Sequence, residues 1–204
     1  MKVRIIALAL CIGCIAAGVY ADPAHAELAD AKVLVAEQET GRSGEIVGED
    51  IRRELVSYRD EAVAWLQRQK VPNEMVASPV PWRRNLLVSY RIPEDDPAYP
   101  YLRGRSYVYD DALAAIAFTM TGRLREAEDV LLAMSRQLRP DGSLWFGVNL
   151  HNEWPSEEGH SGATVRSGAS AWAGYAAAYY LLSRISLEPD FGLDDRIARQ
   201  IFSF

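Results

Sequence analysis

The sequence predicts an all-α fold of antiparallel αα-hairpins joined by long rim loops. Three observations carry that expectation. Two stretches, YVYDDALAAIAFTMTG (107–122) and SGASAWAGYAAAYYLLSRI (167–185), are apolar on almost every side, the mark of helices buried all round. The first runs through a glycine into RLREAEDVLLAMSRQL (123–138), whose apolar residues recur at helical spacing on one side only. The segments between are polar and rich in proline and glycine, which excludes long helices there.

The elements follow in order. Residues 1–26 read as a secretory signal peptide, with Lys2 and Arg4 before a short apolar run and Ala24-His25-Ala26 as the cleavage site. Export to the periplasm or the medium is therefore expected, with lipid anchoring at Cys14 the less favoured alternative. Residues 27–48 are polar and end in Gly41, Gly44 and Gly48, so they read as a flexible segment. The helical-hairpin domain is expected over 49–204. Ile51, Leu55, Tyr58, Ala62, Trp65 and Leu66 predict an amphipathic helix from about Glu49 to Gln69, ended by Pro72.

Six prolines lie between residues 71 and 106, and make that span a long loop with a short extended piece in VPWRRNLLVSYR. The buried helix of 107–122 is stopped by Gly122. Leu124, Ala127, Leu131, Met134 and Leu138 form the inward stripe of the next helix, which completes a hairpin. RPDGS is a turn, SLWFGV an extended rim segment, and 150–168 a polar loop. In the second buried helix, Trp172, Tyr175, Tyr179 and Leu182 share one line. PDFGLDDRIARQIF then begins another outer helix. The apolar residues of the final ARQIFSF have no partner in this order, which suggests a homodimer contact or further sequence.

Both cysteines lie in the signal, so the exported chain relies on its apolar core rather than on disulfides. The net charge is −6 with no basic stripe, which argues against nucleic acid as a partner. The acidic balance also disfavours anionic polymers in general, although a local basic site can bind them. After the signal, no apolar run reaches the ~20 residues that a membrane span needs.

The loop LHNEWPSEEGHSGATVRSG is either a solvated connection or the place where substrate is met. His151, Glu153 and His160 have no standard zinc spacing, and the remaining histidine, His25, is in the signal, so neither metal nor cofactor is expected. GHSGA resembles a nucleophile elbow, but no strand precedes it and no histidine follows Ser161, which excludes that triad order. Asp110 and Asp111 are adjacent on a helix and point about 100° apart, so at most one faces a site. Trp145 and Trp154 lie on loops and are the tryptophans expected to meet a ligand, whereas Trp65 and Trp172 lie on helix stripes and read as core.

Tyr109-Asp110 opening an inner helix, Asp141-Gly142-Ser143 after an outer one, and Arg166-Ser167-Gly168-Ala169 before the next inner helix resemble the six-hairpin glycosidase superfamily over roughly residues 105–185. The resemblance implies an (α/α)6 toroid of alternating inner and outer helices; from its length this chain is expected to be an N-terminal part of one, or a degenerate one. The resemblance also implies a poly- or oligosaccharide ligand and glycoside-hydrolase chemistry. A non-catalytic helical module binding a glycan or an envelope protein is the alternative. It favours Asp110 over Asp111 as the acid/base group, with Glu153 or Glu157 as the second carboxylate. Tyr109, Trp145, Asn149, His151, Trp154, His160 and Arg166 are the substrate-binding candidates. Arg166 has a competing role as internal ion-pair partner of Glu157 or Glu158.

Overall fold

The computed structural model describes residues 43–156, 159 and 163–188. The expected signal peptide, most of the flexible segment, Glu157, Glu158, His160 and the last outer helix lie outside the described residues. The chain is mostly helical. Its elements are α1 (Ser43–Gln69), a 3-10 turn (Pro81–Arg83), α2 (Tyr99–Leu102), β1 (Arg105–Tyr107), α3 (Val108–Met120), α4 (Leu124–Ser135), β2 (Gly147–Asn149) and α5 (Ser167–Leu187).

Two units divide between Ala64 and Trp65. The first contributes, among its described residues, only the N-terminal part of α1. That helix begins at Ser43 rather than near Glu49, so the glycine-containing stretch assigned to a linker is partly helical. Ile51, Leu55 and Tyr58 are exposed, so the apolar stripe expected on this helix is not buried among the described residues of its unit. Local pairs such as Arg53 with Asp50 at 2.6 Å support the helix surface instead.

The second unit is built around α3. Ala112, Ala114, Ala115, Ala117 and Phe118 are buried on several sides of the helix, as its apolar composition predicts. Helix α4 packs on it through Ala127, Val130, Leu131, Ala133 and Met134, and α5 through Ala169, Ala173, Ala176, Ala177 and Tyr180. The alanines let the helices approach closely, and Phe118, Leu131 and Met134 fill the space between. Gly122 turns the chain at φ +73°, which an L side chain rarely adopts, and α4 follows two residues later.

The polar face of α4 is neutralised by its neighbours. Gln67 donates to Glu126 at 2.9 Å and Lys70 pairs with Asp129 at 2.7 Å. Arg184 of α5 reaches Glu128 at 2.9 Å, and the buried Tyr180 hydroxyl donates to the same carboxylate.

Helix α5 departs from the expected all-round burial. Ala169, Ala173, Ala176 and Ala177 are buried, but Trp172 (38% exposed), Tyr175 (44%), Leu182 and Ile185 face outward, as do Ala171 and Ala178. Buried small residues on one side and exposed aromatics on another make it one-sided, although every side is apolar. Trp65, also read as core, is 37% exposed.

The rim segments form a ribbon of extended pairings at one end of the helices. Lys70 bridges Leu87, and the Ser89 amide donates to the Arg105 carbonyl at 2.8 Å. β1 pairs antiparallel with β2, Arg105 opposite Asn149 and Tyr107 opposite Gly147. Trp145 then bridges Val165. Helices α3 and α5 start directly from this ribbon, so their N-termini lie at the rim.

Candidate functional site

At the N-terminus of α3 the two adjacent aspartates part company. Asp111 is buried. Its carboxylate accepts the Leu87 amide at 2.8 Å and the Ser106 hydroxyl at 2.7 Å. Burial nevertheless pushes its pKa up to about 7, with a smaller push from the Asp110 charge. Asp111 therefore fastens the 86–88 segment and β1 to the helix. Asp110 is only half-buried. Burial raises its pKa too, and a hydrogen bond from the Ser89 hydroxyl opposes that rise. The same Ser89 oxygen accepts the Tyr107 amide at 2.8 Å, which fixes the serine beside Asp110.

Aromatic rings surround this end. Tyr90 meets Tyr107 edge to face at 5.7 Å, and Tyr107 meets Phe146 at 5.0 Å. Both burial and the nearby Asp110 charge raise the Tyr90 phenol. On α3 and α5 a second row runs from Tyr109 to Trp172 at 5.7 Å, to Tyr175 at 5.7 Å and to Tyr179 at 6.3 Å. Tyr109, Trp172 and Tyr175 are exposed, so the row is a surface strip.

The loop after β2 is held by buried arginines that sequence reasoning missed. Arg83 donates to the carbonyls of Asn149, Asn152, Trp154 and Glu153, the last two at 3.1 and 2.8 Å. Burial lowers its pKa to about 10, against the pull of the Glu153 charge. Arg105 adds a contact to the Pro155 carbonyl at 3.4 Å. Arg83 lies in a proline-bounded segment without period, where nothing in the residue order marks it as buried.

The other candidates divide between this end and a separate cleft. The Trp145 ring is half-buried under the Arg139 guanidinium at 4.4 Å, so it is packed rather than offered as a platform. Trp154 is exposed. Arg166 lies over Phe146 at 3.9 Å, a cation–π contact; the glutamates expected to pair with it, Glu157 and Glu158, lie outside the described residues. Glu153 is exposed, and the influences on the protonation of Asp110 are burial and Ser89 rather than Glu153. Its charge acts on Arg83 instead. Asn149 and His151 line a cleft of about 820 Å³ with Arg91, Tyr99, Arg103 and Gly104. The His151 amide donates to the Asn149 side chain at 2.8 Å.

Among the described residues no group of three or more histidine, cysteine, aspartate or glutamate side chains is placed to hold a metal ion. No helix among them is long and apolar enough to cross a membrane. Compared with models of known protein families, with curated proteins and with solved structures, the chain matches none.

Proposed function

We propose that this is an exported carbohydrate-active protein of the six-hairpin type, which engages a poly- or oligosaccharide on the aromatic strip at the N-terminal ends of α3 and α5. The observation that supports it is the row Tyr109–Trp172–Tyr175–Tyr179, three of whose rings are exposed, with its first residue preceding the half-buried Asp110 in the chain. An exposed aromatic patch of this kind is a recognition surface, and its flat faces suit the C–H faces of pyranose rings. Asp110 is the group that exchanges a proton with the bound sugar, since burial favours its protonated form and thus proton donation. In this reading the α3–α4 hairpin and α5 are consecutive parts of an (α/α) toroid whose rim is the ribbon of extended segments.

A second reading is favoured by one specific feature. Glycoside hydrolysis usually requires two carboxylates, and among the described residues only burial and Ser89 act on Asp110. A surface that binds a saccharide without cleaving it has no need of the second carboxylate.

Incubating the purified chain with a broad panel of polysaccharides and measuring reducing ends separates these readings. Release by the wild type and its loss in Asp110→Asn indicates the enzyme. Binding without release indicates the module. Neither binding nor release removes both.

A further inference from the structure

The N-terminal half of α1 carries an apolar face that is not covered by the described residues of its unit. Ile51, Leu55 and Tyr58 are 53%, 56% and 55% exposed, and Ala62 is half-buried. The steps between these four residues are four, three and four. On an α-helix that alternation keeps returning to one narrow stripe, the seam along which two helices pack knobs into holes. A helix laid on a globular core shows a wider apolar band.

The stripe is edged by charge in a fixed order. At 100° per residue, Arg52 and Arg59 fall along one edge, and Glu54 and Glu61 along the other. All four are exposed. Within one chain, Arg59 pairs with the adjacent, exposed Asp60 at 2.8 Å, and Glu54 accepts the Tyr58 hydroxyl. Contacts of this exposed kind are weak, so they yield to a partner. The pair of Arg53 and Asp50 lies off the stripe and leaves it clear.

Edges of opposite sign decide what docks here and which way round. When two copies lie parallel, the glutamate edge of each runs along the arginine edge of the other. Glu54 of one copy then meets Arg59 of the second, five residues further on, and the pair is made twice. Antiparallel copies bring glutamate against glutamate and arginine against arginine, which is repulsive.

We propose that residues 51–62 of α1 are a self-association surface. Its face Ile51–Leu55–Tyr58–Ala62 is covered by the same face of a second, parallel copy, and Glu54–Arg59 pairs close its edges. The proposal is independent of the saccharide reading. Charge order sets the partner and the orientation, whereas side-chain shape sets how many copies share the seam. The seam spans about three helical turns, so association depends on concentration.

Sedimentation equilibrium of the purified full chain at low salt, from about 1 to about 100 µM, tests it. The mean mass is expected to rise from that of one chain to at least twice that value. Leu55→Glu holds it at one chain throughout, while the denaturation midpoint at the lowest concentration stays that of the wild type. Arg59→Glu weakens association by about tenfold or more, and adding Glu54→Arg to it restores the wild-type mass. A wild type that keeps single-chain mass throughout overturns the proposal. In that case a lower midpoint in Leu55→Glu shows the face to be covered within the chain, and an unchanged midpoint leaves it to a different partner. Association undiminished by Leu55→Glu puts the interface elsewhere and also overturns the proposal. Tighter association in Arg59→Glu overturns the parallel arrangement.

Discussion

The buried guanidinium of Arg83 donates to the backbone carbonyl of Glu153 at 2.8 Å, and through this and neighbouring bonds it holds the polar loop after β2 in place. A loop without secondary structure must find partners for its carbonyls. Here one side chain, buried beneath the rim, supplies them.

Arg83→Ala is therefore expected to lower stability by about 2–4 kcal/mol, the cost of leaving several carbonyls without a charged donor. The loss should appear as a lower denaturation midpoint and as faster proteolytic cleavage within 149–156. Arg83→Lys should rescue only part of it, because an ammonium cannot span the fork.

Asp111 gives the fold a pH dependence of defined sign. Its pKa rises from 3.8 to about 7 on folding, so between those values the folded state binds a proton that the unfolded state has lost. Stability is then greatest at the acid end of the window and falls, by up to a few kcal/mol, as pH rises through about 7. Asp110 adds a contribution of the same sign. Asp111→Asn keeps an acceptor for Leu87 and removes the charge, so urea midpoints from pH 4.5 to 8 should flatten and the variant should be the more stable at pH 8. An unchanged slope would contradict the assignment.

The contact between Tyr180, Arg184 and Glu128 ties α5 to α4. Glu128→Ala removes one carboxylate partner of Arg184, which keeps Glu188, and takes the acceptor from the buried Tyr180 phenol, and should cost about 1–2 kcal/mol. Tyr180→Phe should cost about 1 kcal/mol. A double-mutant cycle should show the two to be non-additive.

Gly104→Ala meets the His151 ring and a left-handed backbone at once. A cost of about 1–3 kcal/mol is expected, with displacement of the imidazole visible as a shift of the His151 resonances.

Much of the helical order was legible, because it rests on local spacing. The apolar run of α3, the stop at Gly122 and the inward stripe of α4 are properties of consecutive residues, and the structure places Ala127, Leu131 and Met134 inside. Helix α5 was misread for a physical reason. Alanine and tryptophan both count as apolar, but only alanine allows the close approach to α3, so Ala173 is buried and Trp172 is not. The beginning of α1 was placed too late because glycines weaken a helix without forbidding it. At the candidate site, the 100° step between Asp110 and Asp111 was readable, whereas Ser89, Tyr90, Arg91 and Arg103 were not. They come from the proline-rich loop, which has no period. The adjacency of tyrosines, arginines and a glycine in YPYLRGR was the one available cue.

The most direct measurement is a fluorescence titration of the purified chain with oligosaccharides, comparing the wild type with Trp172→Ala. If the strip Tyr109–Trp172–Tyr175–Tyr179 is the sugar surface, tryptophan emission changes on saturation, and Trp172→Ala weakens affinity by about tenfold or more while leaving the denaturation midpoint nearly unchanged. Undiminished affinity in Trp172→Ala, or no saturable response to any saccharide, would contradict it.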